Sequence, residues 1–147
     1  MVIDHIGVVV LRIDDGLKQW MTLFGYSQLT KPVINTRQKV RVVFVGKEGS
    51  CTVKLIEPTD ESSSVFRFAQ KGGGLHHLCF NCDNIDSEVE RFRALGLRVL
   101  SEPQPGEAFA GEKIAFVFAK QGLNIELIDT EKKAKLLDKT GKEMSSP

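Results

Sequence analysis

Four residues of this chain have side chains suited to chemistry and sit where such side chains are uncommon: His5, Lys54, His77 and Glu126. Each histidine lies inside an apolar run, where an imidazole needs a hydrogen-bonding partner. One histidine in that setting reads as a satisfied core residue. Two at equivalent positions of a repeat, with a glutamate on the last strand, read as metal ligands. Two imidazoles and a carboxylate suit zinc, iron(II), manganese, cobalt or nickel, and leave positions open for water and substrate. Lys54 does not belong to that set, because a protonated lysine is repelled by a dication. It is therefore neutral, turned away, or paired with Glu126 in a site without metal.

The four are grouped by an internal repeat with an offset of 72 residues, His5 to His77. Asp4-His5-Ile6-Gly7 lies over His76-His77-Leu78-Cys79, and Ile13-Asp14 over Ile85-Asp86. Arg41-Val42-Val43-Phe44-Val45 lies over Lys113-Ile114-Ala115-Phe116-Val117, and Thr52-Val53-Lys54-Leu55-Ile56-Glu57 over Asn124-Ile125-Glu126-Leu127-Ile128-Asp129. Two copies of one unit are related by an approximate rotation, so equivalent polar positions converge near its axis. His76 is the rival of His77. The repeat register favours His77 and sets His76 outward or at the rim.

The elements that must position these residues follow from local pattern. Residues 2–10 form an apolar, β-branched strand. Asp14 or Asp15 then caps a helix with Leu17, Trp20, Met21 and Phe24 at helical spacing, and Gly25 ends it. Residues 27–33 supply a strand with Pro32 at an edge or at its end. Residues 41–45 and 52–57 make a hairpin across Gly46-Lys47-Glu48-Gly49. The second copy repeats this with strand 76–82, helix 86–95, strand 97–100 and a closing hairpin of 113–118 and 123–128. The domain is therefore read as 1–130, with modules 1–58 and 75–130. Residues 59–74 are a short helix followed by a loose glycine hinge, Gly72-Gly73-Gly74. That glycine run precedes a strand rather than a helix, so it lacks the context of a phosphate-binding loop. Residues 131–147 are a charged tail, frayed or partly helical.

Composition removes several function classes. With 147 residues, 41% of them apolar, the chain has enough material for one compact domain or two small units sharing a core. A net charge of +1 argues against a nucleic-acid or membrane-surface partner. The longest apolar run, 6–11, is far too short to cross a bilayer, and no signal-peptide pattern opens the chain. The three cysteines do not close a disulfide framework, so the cytoplasm is the expected setting. Cys79 and Cys82 have CxxC spacing but sit on a strand, where residues three apart face opposite ways. They read as ordinary buried or half-buried residues.

The chain resembles the vicinal oxygen chelate superfamily, most closely its methylmalonyl-CoA epimerase-like and glyoxalase-like members. The resemblance also reaches the bleomycin-resistance type of binding protein. Its carriers are Asp4-His5-Ile6-Gly7-Val8, Leu55-Ile56-Glu57-Pro58, Gly73-Gly74-Leu75-His76-His77-Leu78 and Gly122-Leu123-Asn124-Ile125-Glu126-Leu127. It implies an α+β fold: two βαβββ modules in tandem whose mixed sheets form a cupped, barrel-like surface around one divalent metal. It places His5, His77 and Glu126 on three ligand positions. The fourth, usually Gln or Glu in such epimerases, falls on Lys54. Two further segments depart from the epimerase pattern: Gly106-Glu107-Ala108-Phe109-Ala110-Gly111, where a histidine often lies between glycines, and Phe118-Ala119-Lys120.

The chemistry implied is proton transfer on the carbon beside a carbonyl, by an isomerase, epimerase or lyase acting on a small acyl or keto substrate. A metal on the carbonyl oxygen would stabilise the developing enolate. Glu126 is both ligand and candidate base. Lys54 is a base if its pKa falls, and otherwise a partner for a substrate carboxylate or the enolate oxygen. Val42, Phe44, Ile114 and Phe116 are the expected cup wall, and equally plain core. Two alternatives share the scaffold. One is an iron(II) dioxygenase using the His-His-Glu triad. The other is a metal-free protein that binds an antibiotic-type small molecule, for which relatives build the pocket across a homodimer.

Overall fold

The computed structural model describes residues 1–145. The first module comprises β1 (Val2–Val9), α1 (Ile13–Thr22), the short β2 (Ser27–Gln28) and β3 (Val33–Asn35), β4 (Val40–Gly46) and β5 (Thr52–Pro58). A short helix, α2 (Phe66–Gln70), leads to the second module: β6 (Gly74–Asn81), α3 (Ile85–Ala94), β7 (Arg98–Pro105), β8 (Lys113–Phe118) and β9 (Asn124–Ile128). The strands join in one mixed sheet of order β2-β4-β5-β1-β6-β9-β8-β7, with β3 also beside β4. The fold is thus the α+β cup of paired βαβββ modules, curved and open at both edges.

The modules meet where β1 runs antiparallel to β6. Ile6 lies opposite Leu78, and these two are themselves repeat equivalents, so the pseudo-twofold axis passes through that pair. β5 lies parallel to β1 on one side and β9 parallel to β6 on the other. The four central strands therefore each carry one of the four residues singled out from the sequence.

Strand alternation assigns the two faces. Val42, Phe44 and Ile56 face into the cup with Ile114, Ile128, Val9 and Cys79. Val43, Val45, Val53 and Leu55 face outward and pack with Ile13, Leu17 and Trp20 of α1. Ala115, Val117, Ile125 and Leu127 do the same against Ile85, Val89 and Phe92 of α3. With both faces covered, the central strands are nearly continuous apolar runs. Each fully buried Val, Leu or Ile contributes roughly 1.5–3 kcal/mol. Cys79 points into the cup and Cys82 toward α3, so the two thiols belong to different clusters.

Several local expectations change. The expected strand 27–33 is two strands broken around Pro32, which has no N–H to give a ladder. In the gap, the Thr30 hydroxyl accepts the Phe44 N–H at 3.0 Å. Helix α1 begins at Ile13 with no side-chain cap from its own first turn. Instead Glu57 accepts the Ile13 N–H at 2.7 Å, and its repeat equivalent Asp129 accepts the Ile85 N–H at 2.9 Å. Each module thus ends its last strand with a carboxylate at the positive end of its own helix. Gly73 is no loose hinge: its φ is +69°, and a Cβ there would lie 2.2 Å from the Val9 carbonyl oxygen. β7 runs on to Pro105 because, past an irregularity, it pairs again with β8.

The tail is neither helical nor frayed among the described residues. Lys31 N–H donates to Lys135 O at 3.0 Å, Leu137 N–H to Leu29 O at 2.8 Å, and Ala134 N–H to Ala108 O at 2.9 Å. It is strapped across the first module next to β2. Among the described residues, no helix is long and apolar enough to cross a membrane.

Candidate active site

Two β-bulges build the site. In β1 the register slips between Ile3 and His5, leaving Asp4 as the extra residue; in β6 it slips between His77 and Leu75, leaving His76. A bulge turns its extra residue toward a neighbour it would otherwise avoid. Here each extra residue meets the adjacent histidine: Asp4 Oδ2 lies 2.7 Å from His5 Nδ1, and His76 Nδ1 lies 2.8 Å from His77 Nδ1. Asp4 and His76 are repeat equivalents, so one device is used twice. The His77 ring lies over Gly7, where a Cβ would sit 2.2 Å from the ring's Cε1. Only glycine leaves that room.

The four residues meet in the cup, with His5 and Glu126 at 0% exposure, Lys54 at 2% and His77 at 6%. His5 Nε2 and His77 Nε2 lie 3.0 and 3.5 Å from Glu126 Oε1, and 3.4 Å from each other. Lys54 Nζ donates to both oxygens of Glu126, each at 2.9 Å. The Lys54 ammonium also faces the rings of Phe109 and Phe44 at 5.3 and 6.0 Å. On the far side of His5, Lys133 from the tail donates to Asp4 Oδ1 at 3.3 Å and lies 5.2 Å from the Phe44 ring centre.

Electrostatics follow from this packing. Burial pushes the Glu126 carboxyl up, but the Lys54 charge, His77 and hydrogen bonds from the two histidines outweigh it and hold it well below the carboxylate range. Burial takes His77 down to about 4, against the pull of Glu126. His76 is lowered by burial and then by the Lys54 charge, so it is neutral at pH 7. Asp4 is also held low: burial raises it, and His5 with Lys133 more than reverse that. Cys79, beside Glu126 in register, is pushed well up by burial and by that carboxylate.

A cavity of ≈ 510 Å³ opens above the cluster, with Lys54, His76, His77, Asn124 and Glu126 in its wall. Of the residues expected to form the cup wall, Val42 and Phe116 line this cavity. Phe44 and Ile114, each 1% exposed, lie in the core behind it. Around the cavity, Arg37 is held by Gln104 at 2.8 Å and Lys39 by Ser62 at 2.7 Å. Glu126 is the one carboxylate in the cavity wall among the described residues, and it is already paired. His76 takes the rim position rather than the outward one.

Sequence reasoning passed over Asp4, Lys133, Phe109 and the Arg37–Lys39 edge. Asp4 had a signal, since it precedes His5 as His76 precedes His77. Phe109, delivered by the turn at Glu107–Phe109, and Lys133, delivered by the strap, had none.

A family model described as glyoxalase/bleomycin resistance protein/dioxygenase superfamily matches residues 4–116. The chain belongs to that superfamily. It is 31% identical to the uncharacterized protein YqjC of Bacillus subtilis over 86% of this chain and 91% of that one. It is 26% identical to the mitochondrial methylmalonyl-CoA epimerase of Dictyostelium discoideum over 89% of this chain and 78% of that one. The methylmalonyl-CoA epimerase structure from Mycobacterium tuberculosis superposes with a TM-score of 0.77 at 29% identity, covering 87% of each chain.

His5, His77 and Glu126 form a group that could hold a metal ion. Their mutual spacings of 3.0–3.5 Å match the edges of a coordination shell with bonds of about 2.1 Å. Asp4 on His5 Nδ1 is the kind of support such ligands take. The fourth side does not fit. It holds an ammonium bound to both oxygens of Glu126, the carboxylate of that group. With Lys54 protonated, the full set is not a shell for a dication.

Proposed function

We propose that the chain is an epimerase or isomerase that moves a proton on the carbon beside the carbonyl of a small anionic acyl or keto substrate. The observation that carries this reading is the adjacency, in one cavity wall, of a buried ammonium and a neutral, half-buried imidazole: Lys54 and His76. Lys54 spends two of its three N–H donors on Glu126 and has one left for a carbonyl oxygen. In a buried site that donor stabilises an enolate more than it does the ground-state carbonyl. Arg37 and Lys39, beside the same cavity, suit a substrate carboxylate or thioester phosphates.

His76 is the base in this reading. Glu126 only accepts, so His77 carries its proton on Nε2 and takes the His76 Nδ1–H at its own Nδ1. His76 Nε2 is then unprotonated, with the Asn124 amide 3.5 Å away. Glu126 is a poor base because the ammonium holds its proton affinity down. The substrate carbon gives its proton to His76 as electron density moves to the carbonyl oxygen on Lys54. Return of that proton, or of one from solvent, to the other face completes an epimerisation. Methylmalonyl-type thioesters are the first substrates to test, because methylmalonyl-CoA epimerases are among the relatives and structural neighbours. No step of this proton transfer calls on a divalent metal, because Lys54 stands on the fourth side of the ligand set.

The test is incubation with methylmalonyl-CoA, other 2-branched thioesters and 2-keto acids in D2O, following deuterium at the substrate carbon by mass spectrometry. Exchange that is lost in His76→Ala and Lys54→Met is expected. Binding of these compounds with no exchange in any would reject the proposal. It would favour a metal-free binding protein, a reading supported by the lack of a free carboxylate in the cavity wall among the described residues.

A further inference from the structure

We infer that Lys54, with Lys133 as its counterpart on the other side of His5, is a built-in replacement for the divalent ion of this superfamily. The inference deepens the proposed function but is tested independently of any substrate. Three observations carry it. Lys54 Nζ grips Glu126 through both oxygens at 2.9 Å, so the carboxylate that would ligate a metal is fully engaged. The aromatic faces of Phe109 and Phe44, at 5.3 and 6.0 Å, shelter that ammonium. Phe109 comes from the Gly106–Gly111 segment, so that loop and Lys54 complement each other.

Charge balance is the third observation. The buried cluster contains two carboxylates, Asp4 and Glu126, and two ammonium groups, Lys54 and Lys133, joined through His5. The formal charges of these four side chains sum to zero. A dication added between His5, His77 and Glu126 would leave two uncompensated positive charges at positions that are almost wholly excluded from water. The cation that orients the carboxylate and faces the cavity is thus part of the chain, and it stays in place when free metal is scarce.

The experiment is calorimetric titration of tag-free, chelator-treated protein with cobalt(II), zinc and manganese at pH 7.5, with cobalt absorption as a second readout. The parent chain should bind no divalent ion at this site. Lys54→Gln, which swaps the cation for a neutral donor, should bind one cobalt per chain, with affinity on the order of 100-fold or more above the parent. His5→Ala on that background should abolish the binding. Lys54→Met, which removes the charge and adds no oxygen or nitrogen donor, covers the case in which Lys54→Gln fails to fold, and should also bind more tightly than the parent. One equivalent bound by the parent and lost in its own His5→Ala variant overturns the inference. So does a folded Lys54→Gln or Lys54→Met with no gain in affinity. Substrate exchange that is absent while these metal results hold would reject the epimerase reading and leave the replacement of the metal standing.

Discussion

Separating Lys54 from Glu126 tests how the site is held together. Both side chains are almost fully buried, at 3% and 0% exposure, and the contact is bidentate at 2.9 Å. Removing one partner of a buried ion pair strands the other, at a cost of about 3–5 kcal/mol. The two single changes should differ. Lys54→Met leaves Glu126 with His5 and His77 at 3.0 and 3.5 Å, so its cost falls at the low end. Glu126→Leu leaves the ammonium with only aromatic faces, so its cost falls at the high end. Replacing both with Met and Leu removes two desolvated charges and should cost less than either single change, a coupling of roughly 5 kcal/mol or more. Against a total stability of about 5–15 kcal/mol these effects are large, and urea unfolding followed by circular dichroism at pH 7.5 resolves them. A double variant as unstable as the sum of the singles, or a Lys54→Met change that costs less than about 1 kcal/mol, would refute the reasoning.

Stability should fall as pH drops from 7 to 4. His77 is at about 4 in the folded chain against 6.5 unfolded, so across that window the unfolded state binds more protons and acid favours it, by about 3 kcal/mol in total. Asp4 and Glu126, both held low, lose their contribution below the ordinary carboxylate range, which continues the decline. Urea midpoints measured at intervals of pH check this, and a flat profile from 7 to 4.5 contradicts it. Gly7→Ala places a methyl group 2.2 Å from the His77 ring, so it should displace the ring, cost about 1–3 kcal/mol and abolish substrate exchange; a variant with parental exchange argues against that ring position. Lys133→Ala removes one partner of the 8%-exposed Asp4 and should cost about 1–2 kcal/mol by thermal unfolding, whereas a detached tail predicts no change.

The repeat made most of the fold legible. β8 (Lys113–Phe118) runs over the residues expected of it, and β1, β5, β6 and β9 differ only at their ends, because buried strands write long apolar runs into the sequence. The pairing of equivalent positions by itself also brings His5, Lys54, His77 and Glu126 to one place, since a pseudo-twofold axis through Ile6 and Leu78 requires it. The state of that cluster was not legible. Whether Lys54 turns away or grips Glu126 depends on a side-chain direction and on what lies beneath it, and Phe109 comes from a turn 55 residues further along the chain. The bulges at Asp4 and His76 are two-strand properties: one strand shows no extra residue until its partner sets the register. The strap that carries Lys133 to Asp4 has no periodicity, because its order comes from backbone bonds to Leu29, Lys31 and Ala108 rather than from an apolar face. Local pattern and repetition therefore determined which residues meet. Tertiary packing alone decided their charge balance, and with it which cation the site holds.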